Sequence, residues 1–205
     1  IAKFLATRGI SDFDLFLDQF YQGMPEFIRK QVTPTYSTFA ESVKTEVSRE
    51  IDIEDGLTAE DEAFIASFVT LFARRYIQKS QKDMQAALNK AVDNGIDPVI
   101  EAERQIEHWE ETRAGFTAHN EAVRSSNAFA KVFMIAAGVT LLRWVAIGES
   151  CPFCDSLNGK VVGVEQDFAL PNDVIEAGGK GLNVQSKVGH PPIHRGCDCQ
   201  IVAGG

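Results

Sequence analysis

The sequence predicts an α+β fold, with a mostly helical region over residues 1–116 and, over residues 117–205, a small β-hairpin-rich module carrying a Cys/His metal site. Three observations predict it. Apolar residues recur at helical spacing from Ser11 to about Ala136. At Gly138 the character changes to "GVTLLRWVAIG", which alternates and is rich in strand-favouring residues. All four cysteines lie in the last third, as C-x-x-C and C-x-C, with His190 and His194 just before the second pair.

The first helix is expected after Ser11, which is placed to cap it, with Asp12 and Asp14 suited to its positive end and Phe13, Leu15, Phe16, Phe20 and Met24 near helical spacing. Pro25 and Pro34 are expected to break or redirect the chain. Thr35 to Ile51 reads as a more polar amphipathic helix, ended by a turn at "DIEDG". Thr58 then opens a long helix reaching about Val92, with Asp61 and Glu62 near the capping-box position and Phe64, Ile65, Phe68, Leu71 and Phe72 as its apolar stripe.

"DNGIDP" ends that helix, because Asn94-Gly95 suits a helix C-terminus and Pro98 suits a first turn after Asp97. Two further helices are expected, Pro98 to Arg113 and Thr117 to Ala137, separated at Gly115. Phe occurs fourteen times, mostly in these helices, which reads as core packing. Val139 to Ile147 is expected as a strand leading to Cys151, with Trp144 in the core between strand and helix, and "NGKVVGV" as a turn and partner strand. A Gly-rich stretch around Gly178, Gly179 and Gly181 precedes the second cysteine pair.

A net charge of −9 argues against a protein whose whole surface binds nucleic acid, since that affinity comes mainly from Lys and Arg neutralising phosphates. Residues 51–120 hold seven basic and fourteen acidic side chains, so the helical middle carries most of the excess acid as a solvated face. Val132 to Gly148 is the most apolar stretch, and its Gly138 and Arg143 mark it as buried core rather than a membrane segment. Proteins are the expected partners.

Five soft donors, Cys151, Cys154, His194, Cys197 and Cys199, gather at two short knuckles. Zinc takes four such ligands tetrahedrally, and a set filled by protein side chains leaves no water position, which makes the ion structural. Such a site contributes on the order of 10 kcal/mol or more to folding of a small module. Cys151 and Cys154 are the firm ligands, because C-x-x-C chelates one ion. On the other side Cys197 and Cys199 can both bind, or His194 can replace one of them. His190, beside Pro191-Pro192, is expected at the surface or behind the ligands.

A dithiol catalyst needs its first thiol exposed at a helix N-terminus. "DSLNGK" after Cys154 is expected to turn too soon for a helix, and redox chemistry leaves Cys197 and Cys199 without a role. Disulfides are the third alternative. The other histidines and carboxylates form no Ser/His/Asp or metal-hydrolase pattern, and "GGKG" at 178–181 lacks the spacing of a phosphate-binding loop, so no enzyme is expected.

"TLLRWVAIGESCPFCDSLNGKVV" followed by "HPPIHRGCDCQIV" resembles the C-terminal domain of phage minor head proteins, the Mu F-like head morphogenesis family. Members commonly show a strand with a Trp, a C-x-x-C, an L-x-G-K-V hairpin and a terminal P-P-x-H-x-x-C-x-C. "NEAVRSSNAFAK" is similar to the family's helix carrying Glu, Arg and Asn, here Glu121, Arg124 and Asn127. The resemblance covers about Thr117 to Val202. It departs at Gly196 and Asp198, where the family usually has Asn and Arg.

The resemblance implies a virion component present in several copies, incorporated at head assembly in the bacterial host cytoplasm. It would associate with the portal protein and other head proteins, assist DNA packaging or delivery, and touch phage DNA weakly if at all, with no membrane partner. Glu121 and Arg124 read either as an i, i+3 surface pair or, with Asn127, as residues that fix the long helix against the metal module. The alternative from another class is a zinc-ribbon-like nucleic-acid-binding module. That reading needs a basic face, and after Cys151 there are only Lys160, Lys180, Lys187 and Arg195 against six acidic residues.

Overall fold

The computed structural model describes residues 13–54, 56–148 and 151–205, with side chains from Leu15 onward. The expected cap Ser11 and its neighbour Asp12 lie outside the described residues, as do the side chains of Phe13 and Asp14. Four long helices come first: α1 (Phe13–Gln22), α2 (Met24–Ile51), α3 (Ala59–Asp93) and α4 (Pro98–Ala136). Then follow β1 (Leu141–Val145), the short α5 (Pro152–Leu157), β2 (Val161–Gly163), β3 (Val174–Ala177), β4 (Lys180–Asn183) and β5 (Gln200–Ala203). The chain is α+β, with helices preceding small antiparallel strands and a Cys/His cluster.

Two expected breaks do not occur. Pro25 and Pro34 both lie within α2. Pro25 sits in the first turn, where its missing N–H has no partner to lose. Pro34 is interior and does remove a helical bond, yet the helix runs on because Tyr36, Ala40, Val43 and Val47 beyond it are buried. Gly115 does not divide α4 either, which is one helix of 39 residues. A mid-helix Gly costs about 1 kcal/mol against Ala, too little to end a helix that long.

The expected start and end of α3 are found in detail. Thr58 Oγ1 accepts from the Asp61 amide at 3.2 Å, and Asp61 Oδ2 accepts from the Thr58 amide at 3.0 Å, a reciprocal capping box with Asp in the third position. At the far end Gly95 takes φ +66°, and the Ile96 amide reaches back to the Ala91 carbonyl at 2.8 Å. Asp97 Oδ1 accepts from the Val99 amide at 2.8 Å and opens α4. The apolar stripes are shifted from the expected ones. In α1 Leu17 and Tyr21 are buried while Leu15 and Phe20 are exposed, and in α3 Val69 is buried while Leu71 is exposed.

The described residues form two compact units, and neither is continuous in sequence: one comprises 13–34 with 66–116, the other the described residues of 35–65 with those of 117–205. The expected division at 116/117 coincides with one seam, but residues 35–65 join the strand module. In the first unit Leu17, Tyr21, Ile77, Met84, Leu88 and Ala102 form a buried cluster, flanked by Met24, Ile106 and Trp109. In the second unit Phe129 of α4 is fully buried and meets Tyr36 and Phe64 edge-on, at 6.4 and 6.2 Å between ring centres. Those aromatic contacts are why 35–65 belongs with the module.

Sheet topology places the second knuckle. β1 pairs antiparallel with β2 (Leu142 opposite Val162) and with β5 (Trp144 opposite Ile201), giving the order β2-β1-β5. Leu142, Trp144, Val162 and Ile201 are buried on one face. β1 is shorter than the expected 139–147 because its flanks are used otherwise. The Val139 amide closes α4 by donating to Met134, and the Ala146 amide donates to Asn158 Oδ1. β3 and β4 form a hairpin whose two-residue turn, Gly178-Gly179, has φ of +57° and +74°, the conformation glycine supplies without strain.

Lys44 and Asp61 form an ion pair at 3.2 Å inside the second unit, both nearly inaccessible, with the ammonium 4.8 Å from the centre of the Phe133 ring. Removing one partner strands the other charge, at a cost of about 3–5 kcal/mol. Asp61→Ala is therefore expected to lower unfolding free energy by about that much, because the cap is lost as well. Lys79→Ala, at an exposed pair, is expected to change it by less than about 1 kcal/mol. Urea unfolding of the two variants checks the contrast.

Candidate metal centre

The first knuckle is built on a helix that the sequence reading did not expect. Cys151 is the N-cap of α5, with extended backbone angles and Pro152 at the first helical position. "PFCDSL" thus forms a short helix before Asn158-Gly159 turns the chain, because proline at the first helical position pre-sets the helical φ. Cys151 and Cys154 lie three apart across the start of α5, so their sulfurs share a face. Cys154 is buried and Cys151 half-buried.

The second knuckle arrives by a turn. Pro191-Pro192 is joined by a cis peptide bond, His194 follows, and Gly196 at φ +72° reverses the backbone before Cys197. A side chain at Gly196 would be strained in that conformation. Cys199 leads directly into β5, and Cys197 and Cys199 are both buried.

All five sequence-predicted donors come together. Cys151, Cys154 and His194 form one group, Cys154, Cys197 and Cys199 another, with the ligand atoms of each group within 4.8 Å of one another. Cys154 belongs to both. His194 Nε2 lies 3.0 Å from Cys151 Sγ and 3.2 Å from Cys154 Sγ, and Cys154 Sγ lies 3.7 Å from Cys197 Sγ. The five side chains make a cluster that could bind a metal ion. His190 is not in either group; its Nδ1 lies 2.6 Å from the Pro191 carbonyl oxygen.

The donor chemistry fits an ion. His194 Nδ1 lies 2.7 Å from the Arg195 carbonyl oxygen, so it carries the proton and Nε2 offers its lone pair to the sulfur side. Burial works to raise the Cys151 thiol, but the Cys154 and Phe153 backbone, the Cys154 side chain and His194 outweigh it and hold it below the ordinary thiol value. Hydrogen bonding with Cys197 and Cys199, followed by burial, pushes Cys154 up, while Cys197, accepting from Cys154 and Cys199, is pulled down. The crowded sulfurs therefore share protons that a cation would replace.

For His194, burial works downward, and the Arg195 carbonyl and Cys151 outweigh it to leave the imidazole above its ordinary value. The hydrogen bond with Cys154 lowers Cys199, but Cys197 and burial raise it to about 11. Trp144 is fully buried and its indole N–H is without a hydrogen-bond partner of good geometry. The group beside it is the Cys199 sulfur, whose thiolate it would favour. An indole N–H facing a sulfur cluster suits a site whose sulfurs become anionic on loading.

Asn127 is the residue behind the knuckle. Buried to 2% exposure on α4, its Nδ2 donates to the Cys199 carbonyl at 3.1 Å and to the Val123 carbonyl at 2.8 Å, and its Oδ1 accepts from the Ile201 amide at 2.8 Å. The side-chain amide thus takes the place of a neighbouring strand along the outer edge of β5. Glu50 continues that edge by accepting from the Ala203 amide at 2.8 Å. Arg124 pairs with Glu121 at 3.0 Å on the same helix, and Asn127 reaches the knuckle. Asp198 meets His119 of α4 at 3.3 Å, an exposed pair that is ionic only when the imidazole is protonated.

The sequence reading named the five donors of the cluster but missed Glu50, Asp198 with His119, and the Trp144 indole beside Cys199. None has a local sequence signal, since each contact spans elements far apart in the chain. No family model, curated protein or solved structure matches this chain.

Asn127→Ala is expected to leave the Cys199 carbonyl and the Ile201 amide without partners, costing about 1–3 kcal/mol for each buried group. Metal affinity is expected to fall about 10–100-fold, as for other groups that orient ligands. Competition with a chromophoric chelator measures the second effect, and thermal unfolding of the metal-free protein measures the first.

Proposed function

We propose that the chain is a phage minor head protein whose C-terminal module is held together by a structural Zn²⁺ ion. The observation that carries the reading is the gathering of C-P-F-C and H-R-G-C-D-C, the two motifs on which the resemblance to Mu F-like head proteins rests, into one cluster. Asn127, from the third matching segment, docks on that cluster. Soft thiolates with one imidazole suit zinc among the common divalent ions, and a site filled by side chains supports folding rather than hydrolysis. The ion when bound would clip the two knuckles together, and the chain's own residues would present the module to the portal and neighbouring head proteins.

General DNA affinity is not favoured. Two of the few basic residues near the module are already engaged, Lys160 with the Phe168 carbonyl at 2.6 Å and Lys131 with the Gly189 carbonyl at 3.2 Å. Among the described residues no helix is long and apolar enough to cross a membrane.

Co-expression with the portal and major head proteins of the same phage is expected to incorporate the chain at a few copies per particle, and to do so poorly for Cys154→Ser. Particles that form without it, and a portal that fails to co-purify with it, would count against the head-protein reading. Protein purified under reducing conditions is expected to contain about one zinc per chain by elemental analysis. Affinity is expected to fall as pH is lowered, because protons compete with the ion for Cys154, whose thiol value is raised, and for His194, whose value is also raised. An affinity independent of pH between about 6 and 8 contradicts thiol and imidazole ligation.

A further inference from the structure

We infer that the ion is held by Cys151, Cys154, His194 and Cys197, and that Cys199 is a buried thiol beside the site rather than a ligand. The inference rests on the zinc reading above and narrows five donors to four. Three positions follow from geometry. Cys151, Cys154 and His194 form one compact group, with the His194 nitrogen that approaches both sulfurs being the one whose lone pair is free. His194 as a ligand rules out an all-cysteine site, since zinc takes four.

The fourth place lies between Cys197 and Cys199. In tetrahedral zinc, bonds of about 2.3 Å to sulfur put two thiolates about 3.8 Å apart. Cys154 and Cys197 already stand at 3.7 Å. Chain geometry agrees. Cys197 directly follows the turn at Gly196 and lies three residues after His194, the spacing that separates Cys154 from Cys151 on α5. Cys199 lies past that turn, with its carbonyl held by Asn127 and β5 beginning at the next residue. Bringing its sulfur to His194 would pull against the α4 contact.

X-ray absorption at the zinc edge of the unaltered protein tests this without a variant. Three sulfurs and one imidazole nitrogen are expected. Four sulfurs would overturn the assignment while leaving the zinc reading intact, and so would two ions per chain. Absence of any bound ion under reducing conditions would overturn both. Cobalt(II) substitution gives the residue-level answer. Cys199→Ser is expected to keep one ion per chain with unchanged thiolate-to-cobalt charge-transfer intensity. Cys197→Ser is expected to lose about a third of it, one thiolate of three. The reverse pattern, with Cys199→Ser losing intensity and Cys197→Ser keeping it, assigns the fourth place to Cys199 and refutes the inference.

Discussion

The second unit depends on bringing two knuckles, more than forty residues apart in sequence, to one point. Its strands have three to five residues each, and a sheet that small buries little apolar surface. Trp144 and Phe168, packed edge-on at 5.2 Å, supply much of what core lies beneath it. An ion bound there would cross-link α5 to the segment entering β5 and so compensate for that thin core. Without an ion the same sulfurs crowd one another and must share protons, so the cluster that organises the module is also its least comfortable part when empty.

Helix α4 carries the knuckle's other support. β5 is an edge strand, and its outward N–H groups at Ile201 and Ala203 need acceptors. Asn127 and Glu50 provide them as side chains, which closes the edge without another strand. Asn127 also holds the Cys199 carbonyl, so one buried amide couples the position of the second knuckle to a helix whose neighbouring Phe129 and Phe133 lie fully buried. Positioning of the ligands and packing of the helix are therefore one arrangement, and the pair of aromatic contacts from Tyr36 and Phe64 extends it to α2 and α3.

The resemblance to head morphogenesis proteins rests on short motifs, and their value lies in what they require of one another. C-x-x-C alone serves many chemistries. Here Cys151 even occupies a helix N-terminus with its thiol value lowered, a feature that a dithiol catalyst would share. What separates the cases is the company: His194, Cys197 and Cys199 surround Cys154, and a buried Cys154 with a raised value is poorly suited to resolve a mixed disulfide at the surface.

Local signals written in the sequence were sufficient for the caps, turns and donors. Thr58 with Asp61, Asn94-Gly95 and Asp97-Pro98 each act through neighbours a few residues away, and the five soft donors stand out by type and spacing, so these are legible in order along the chain, whereas the β3–β4 hairpin turn at Gly178-Gly179 reads in the sequence only as a Gly-rich stretch. Continuity of the helices was not, because Pro34 and Gly115 are penalised locally by amounts that burial of Tyr36, Ala40 and Phe129 outweighs. Which helix segments share a core was likewise a tertiary decision: α2, α3 and α4 each contribute to both units, and nothing in the spacing of their apolar residues says where one core ends. The same holds at the metal centre. Sequence determined that five donors exist, whereas the short helix at Cys151, the turn at Gly196 and the grip of Asn127 on the Cys199 carbonyl brought them to one point, because a donor's place is set by the backbone that carries it.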